Sequence, residues 1–291
     1  MNNLEKLDNF LTLVKSFNKS LKFEIIEVGA HPYGSKEELF YRLLDFFPDS
    51  KINAFEINET ECQKLNKLSK NGVQFFPYAL GCKEEIRKLY ETNHPMCTSL
   101  YEPNIELLKL YHNLEVAYLK NISEIKTISI DKFMETEKIN TVDFIKIDIQ
   151  GAELDVFKGA NKCLENILSI VSEVEFIQIY KNQPLFGDVC SFLNRKDIMF
   201  HKFLGLEGRS LKPIIINKEK NYPIQHIWSD AVFIKNIFKI PNLDNSQLLK
   251  LAVLSYLYGS PDLTVFCLQN YDKKNKTNMV EQLNIIQKKI E

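Results

Sequence analysis

The chain has 291 residues, of which 45% are hydrophobic and 26% charged, and a formal net charge of -1. That length suits one large α/β domain with extensions and a full core, and the composition excludes a disordered or fibrous chain. The lysines are spread along the chain without a basic stripe, which excludes a nucleic-acid partner. No apolar run approaches the roughly 20 residues that span a bilayer, so no membrane insertion is expected.

The first residues lack the basic segment and apolar run of a secretory leader. The six cysteines (Cys62, Cys82, Cys97, Cys163, Cys190 and Cys267) form no CxxC pair and read as reduced thiols. Both features point to the cytoplasm.

Along the chain, Leu4, Leu7, Phe10, Leu11, Leu13, Val14 and Phe17 recur at helical spacing, which predicts an amphipathic packing helix. Strand and helix patterns then alternate: a strand at 23–28, a helix at 35–47 with Ser35 as its cap, a strand at 51–57, a helix at 59–70 and a strand at 73–78. This βαβαβ order is the half-unit of a doubly wound parallel sheet. From 81 to 139 the pattern turns irregular and reads as an insertion, with alternating runs at 86–91 and 117–130 around a helix at 104–111. A near-continuous apolar strand at 142–149, a helix at 152–164 and a strand at 167–176 resume the sheet. A helix at 188–193 and strands near 199–204 and 226–234 complete it as an antiparallel hairpin at one edge. After Pro241, two helices at 247–258 and 263–271 meet at Gly259-Ser260-Pro261, with a charged helix behind them.

In such a sheet, ligands bind where the strands end. The first strand ends in Glu27-Val28-Gly29-Ala30-His31-Pro32-Tyr33-Gly34, a glycine turn suited to close backbone approach. The second ends in Phe55-Glu56-Ile57-Asn58, where the Glu56 carboxylate suits the two hydroxyls of a ribose. The glycines do not make the GxGxxG of a pyrophosphate loop, so an adenosine cofactor without phosphate fits better than a dinucleotide. S-adenosylmethionine is such a cofactor, and Ala79, Leu80 and Gly81 after the third strand offer an apolar slot for its adenine. The cofactor contacts expected are Glu27, Gly29, Ala30, His31, Gly34, Glu56, Ile57, Ala79, Leu80, Gly81 and Asp148.

Asp148, at the end of the fourth strand, is the first candidate for a general base acting on an acceptor hydroxyl. Glu153 and Glu175 complete the candidate catalytic set, with one of Glu173 and Glu175 expected to face the pocket. Asp148 with a glutamate is also the place for a magnesium or calcium ion, although no metal-ligand set is assigned. Lys146, inside the strand, is expected to form a structural ion pair. Tyr101, Tyr180 and Phe186 are expected near the pocket mouth, and the 81–139 insertion is where acceptor specificity is expected.

The run Val142-Asp143-Phe144-Ile145-Lys146-Ile147-Asp148-Ile149-Gln150-Gly151-Ala152-Glu153-Leu154-Asp155-Val156-Phe157-Lys158-Gly159-Ala160 resembles the signature of the FkbM methyltransferase family. Further likenesses lie at Tyr78-Ala79-Leu80-Gly81, at Thr127-Ile128-Ser129-Ile130-Asp131, and at Glu173-Val174-Glu175-Phe176 with Tyr180 and Gln183-Pro184-Leu185-Phe186. The chain departs from the family at His31-Pro32-Tyr33, where an asparagine and an earlier glycine are usual. The resemblance runs from about residue 23 to 234 and implies a Rossmann-like class I methyltransferase fold, with a central, mostly parallel seven-stranded sheet flanked by helices; the N-terminal helix and the C-terminal helical extension lie outside it. It implies S-adenosylmethionine as methyl donor and acceptors that are hydroxyls on sugars, glycans or related small molecules.

The expected organisation is an N-terminal helical extension (1–22), a methyltransferase domain (23–240) and a C-terminal helical extension (241–291). The leucine-rich face of the last segment (Leu248, Leu249, Leu251, Ala252, Leu254 and Leu257) suggests a homo-oligomer. Two other readings are a nucleotide-dependent oxidoreductase on the same fold and an interaction module with a vestigial cofactor site.

Overall fold

A computed structural model of the chain describes residues 3–30 and 38–288. The chain opens with α1 (Asn3–Phe17), β1 (Glu24–Val28), α2 (Leu43–Phe46), β2 (Lys51–Phe55), α3 (Glu59–Leu68) and β3 (Val73–Phe76). The expected helix at 35–47 begins outside the described residues, and its described part is a 3₁₀ turn at Leu39–Arg42 running into α2. Asn58 caps α3 by accepting the Glu61 N–H.

The insertion contributes β4 (Ala79–Leu80), β5 (Glu85–Thr92), α4 (Ile105–Leu108), β6 (Leu119–Ile128) and α5 (Ile130–Glu137). The helix expected at 104–111 is a single turn, whereas α5 was not anticipated although Ser129 caps it. The segment builds its own three-stranded sheet, β4-β6-β5, in which β5 and β6 form a long antiparallel ladder.

The main sheet resumes with β7 (Phe144–Ile147), α6 (Glu153–Lys158), α7 (Asn161–Asn166), β8 (Ser169–Glu175), α8 (Phe186–Asn194), β9 (Ile198–Phe203), β10 (Glu207–Arg209) and β11 (Gln225–Lys235). The expected helix at 152–164 is broken at Gly159, where the backbone of the insertion passes too close for a side chain: a Cβ there would lie 2.5 Å from the Gly81 carbonyl oxygen. Three helices close the chain: α9 (Asn245–Leu257), α10 (Pro261–Asn275) and α11 (Met279–Lys288).

Strand order in the main sheet is β10-β11-β8-β7-β1-β2-β3, with β9 also on β11. The five strands from β8 to β3 are parallel, and β11 runs antiparallel to β8. The sheet therefore has eight strands, not the seven expected. The eighth arises because β11 is 11 residues long: its inner edge carries β8, while its outer edge is shared by β9 and the short β10. The order reverses between β1 and β7, and the crevice of a doubly wound sheet opens at that point.

Alternate residues of each buried strand feed two separate cores, as a period of two requires. Ile25, Phe144, Val171 and Val232 pack with α1, α2 and the C-terminal helices. Ile26, Ile145, Ile170 and Phe233 pack with α5 to α8. Phe10 of α1 stacks on Tyr256 of α9 at 4.3 Å between ring centroids, so both ends of the chain share one layer. The six residues suggested for self-association are all buried in that layer, which withdraws them from any surface.

The same layer carries one buried ion pair. Lys250 of α9 donates to both oxygens of Asp143 at 2.8 Å, and Asp143 also accepts the Glu24 backbone N–H at 2.8 Å. Changing Lys250 to Met should destabilise the fold by about 3 kcal/mol, because Asp143 is left buried without its cation. The urea midpoint of the variant measures this.

Candidate active site

At the carboxyl ends of β1, β2 and β7 lies a cavity of about 610 Å³, covered by the inserted sheet. Gly29 and Asp148 meet at its floor. Gly29 has φ +82°, and a Cβ there would lie 2.0 Å from the Asp148 carbonyl oxygen. The glycine is thus demanded by the approach of two strand ends, where the sequence suggested approach to a ligand. The Asp148 N–H donates to the Val28 carbonyl at 3.0 Å, extending the parallel pairing to the cavity edge.

Glu56 stands at the end of β2, half-buried in the cavity wall. Its Oε1 accepts the Asn58 N–H at 2.7 Å, while Oε2 has no hydrogen-bond partner among the described residues. Burial raises its pKa. Ile57, Ala79 and Leu80 also line the cavity.

Gln150, which was not singled out in the sequence, organises the floor. It adopts φ +59°, a left-handed conformation uncommon outside glycine, and Gly151 follows at φ +99°. Its Nε2 donates to Asp148 Oδ1 at 2.9 Å and to Glu173 Oε2 at 2.5 Å, and its Oε1 accepts from the Tyr180 hydroxyl at 3.2 Å. Its backbone carbonyl accepts from Ser99 at 2.7 Å, which ties the floor to the insertion. The signal available in the sequence was the polar Gln-Gly pair directly after a strand-end aspartate.

Beneath the floor, Glu153 is buried and its Oε1 accepts the Ile149 N–H at 2.8 Å. Glu173 and Glu175, two residues apart on β8, share one face, so the expectation that only one would turn toward the site does not hold. Burial raises the pKa of both well above the carboxylate range, and the neighbouring carboxylates push in the same direction. Glu175 Oε1 is buried without a partner, which favours a neutral carboxyl group there. Asp148 alone of the three candidate catalytic residues lines the cavity; Glu153 and Glu175 are not in its lining.

Other expected contacts lie elsewhere. Glu27 is buried and accepts from the Tyr41 hydroxyl at 2.5 Å, with burial raising its pKa to about 7. Ala30 and Gly81 are buried outside the lining, and His31 and Gly34 fall outside the described residues. Lys146 forms the expected ion pair, donating to Asp230 at 2.9 Å. Tyr180 is fully buried with its hydroxyl on the Cys97 carbonyl, Tyr101 donates to Asp155, and Phe186 packs among Phe176, Phe200 and Phe203; none of the three lines the cavity.

Among the described residues no group of three or more His, Cys, Asp or Glu side chains could hold a metal ion, so a magnesium or calcium site finds no support. Also among them, no helix is long and apolar enough to cross a membrane. All six cysteines are free.

A doubly wound sheet with a carboxylate and a glycine turn at its switch point is a Rossmann-like arrangement, in which ligands bind outside the carboxyl ends of the strands. The methyltransferase FkbM domain matches residues 27–198, more than half of the chain, and the protein belongs to that methyltransferase family. No curated protein matches the chain. Among solved structures, a Thermoplasma acidophilum protein assigned provisionally as a methyltransferase is 8% identical, with a TM-score of 0.32 over 74% of this chain and 69% of its own. LepI in complex with SAM is 7% identical, with a TM-score of 0.32 over 78% of this chain and 46% of its own. A pericyclic reaction enzyme is 7% identical, with a TM-score of 0.33 over 78% and 47% of the two chains. The chain thus spans under half the length of the last two, and likenesses this distant carry no functional weight.

Burial, opposed by the Ile149 N–H and reinforced by Asp148, raises the Glu153 pKa to about 7 in the folded chain. The unfolded chain releases that proton in the ordinary carboxylate range, so folding takes up a proton between the two values. The stability this contributes is complete below the ordinary carboxylate range and is lost as the pH rises through 7. Changing Glu153 to Gln should therefore flatten the fall in stability toward alkaline pH, as read from urea midpoints across a pH series.

Proposed function

We propose that the protein transfers the methyl group of S-adenosylmethionine to a hydroxyl oxygen of a sugar or related small acceptor, in the cytoplasm. The observation that carries this reading is a single cavity that has Glu56 in one wall, Asp148 on its floor and the inserted sheet as its cover. Glu56 suits a ribose, since a carboxylate oxygen with no other partner can accept from its hydroxyls. The strand-end segment at Gly29, with Ile57, Ala79 and Leu80, would hold the rest of the donor. A lining rich in carboxylates also suits a sulfonium cation.

The donor, when bound, supplies an activated methyl carbon with a good leaving group. The protein's own contribution is to hold an acceptor oxygen in line beside that carbon and to exclude water. Asp148 is the group on the floor able to take the hydroxyl proton as attack proceeds. Gln150 fixes its orientation through the bond to Oδ1 and bridges it to Glu173, whose carboxyl group also lies against Asp148. With burial raising the Glu175 pKa well above the carboxylate range and Glu153 engaged by the Ile149 N–H, both serve as a scaffold beneath the base, not as competing acceptors.

Changing Glu56 to Ala should abolish binding of S-adenosylmethionine in a calorimetric titration, and retention of wild-type affinity would remove the cofactor assignment. Changing Asp148 to Asn keeps a side chain that can accept from Gln150. That variant should bind the donor normally and transfer methyl on the order of 10²–10⁴-fold more slowly. An unchanged rate would remove Asp148 as base.

A further inference from the structure

The reading above uses the strand-end half of the cavity. The other half belongs to the insertion: Leu89 and Glu91 of β5, Ile125 of β6, and Met96 and Leu100 between the two strands. Leu89 and Glu91 point the same way because they are two residues apart on one strand. They present an aliphatic surface beside a single carboxylate. Glu91 is held by two hydrogen bonds, with Oε1 accepting from Ser123 at 2.7 Å and Oε2 from Asn121 at 3.2 Å. These two bonds, the Ser123 bond first, lower its pKa and keep it ionised at neutral pH. A carboxylate has about four lone-pair sites, so each oxygen retains room for a donor from a ligand.

The charge of the whole lining points the same way. Among the described residues the lining contains the carboxylates of Glu56, Glu61, Glu91 and Asp148, of which Glu61 pairs with Lys64 at 2.6 Å, against one ammonium, that of Lys120. Lys120 is exposed and lies near enough to Glu91 to favour its ionised form, so it offsets part of that charge without reversing it. An acceptor carrying a phosphate or carboxylate would meet like charge in this cavity. One carrying hydroxyls and an apolar face would meet an acceptor of hydrogen bonds beside an aliphatic wall.

We propose that Glu91 is the polar anchor of an acceptor subsite on the inserted sheet, and that the subsite takes an uncharged glycoside with an apolar face and discriminates against sugar phosphates and uronates. This deepens the methyl-transfer reading by naming the acceptor class, and it is tested by binding, so that the two can fail separately. Full-length protein, with and without S-adenosylhomocysteine, is titrated with phenyl β-glucoside and with phenyl β-glucuronide, which differ only at C6, a hydroxymethyl in the first and a carboxylate in the second. The wild-type protein should bind the glucoside at least about tenfold more tightly than the glucuronide. Glu91→Gln should weaken the glucoside by about tenfold and narrow the preference, because a charged hydrogen-bond acceptor is lost. Its affinity for S-adenosylhomocysteine should be unchanged, which also shows that the variant is folded. Glu91→Lys should reverse the preference. Binding of neither glycoside, equal or tighter binding of the glucuronide, glucuronide binding that disappears in Lys120→Ala, or a glucoside affinity unaffected by Glu91→Gln would each overturn the proposal. Failure of S-adenosylhomocysteine to bind the wild-type protein would instead overturn the methyl-donor assignment, while the glycoside titrations would still report on the subsite.

Discussion

The architecture depends on the contact between Gly29 and Asp148. Two parallel strands leave the sheet at its switch point with their backbones so close that only a residue without a side chain fits: a Cβ on Gly29 would sit 2.0 Å from the Asp148 carbonyl oxygen. That approach holds Asp148 at the cavity floor, with its N–H on the Val28 carbonyl. It also leaves the Gln150-Gly151 turn to begin the next helix in a left-handed bend. A wider crossing would move the aspartate away from the wall that carries Glu56.

Around this contact the chain concentrates carboxylates that a fully ionised state would not tolerate. Asp148, Glu173 and Glu175 at the ends of β7 and β8 gather with Glu153 at the start of α6, and burial with mutual repulsion raises the pKa of the three glutamates. Burial and the neighbouring carboxylates favour the protonated form of the three glutamates, and the Gln150 amide bridges Asp148 and Glu173. Of these four, only Asp148 lines the cavity. Burial has thereby separated groups of the same chemical type into one position at the cavity and its support.

Much of the scaffold was legible because parallel strands buried on both faces read as apolar runs, as at 144–147 and 169–175. The edge pairing of β9 and β11 was legible from the short apolar runs at 199–204 and 226–234, although these strands are antiparallel and β9 is only partly buried. Less visible was the break at Gly159, since it is imposed by a backbone 78 residues away at Gly81, which no local pattern encodes. The eighth strand is three residues long and too short to carry a periodicity. Ser129 did announce α5, but the alternating run before it read as continuing strand.

By itself the sequence determined the succession of elements, the two-faced apolar strands and the family signature around Asp148, because these are written in short-range periodicity and contiguous motifs. Tertiary structure alone decided which charged groups meet solvent. It turned Glu27 toward Tyr41, set Glu153 and Glu175 below the floor, and brought Glu91 of the insertion into the same cavity as Glu56. The reason is physical: the state of a carboxylate depends on its distance to other charges and to water, and both are settled only when strands distant in sequence are packed side by side.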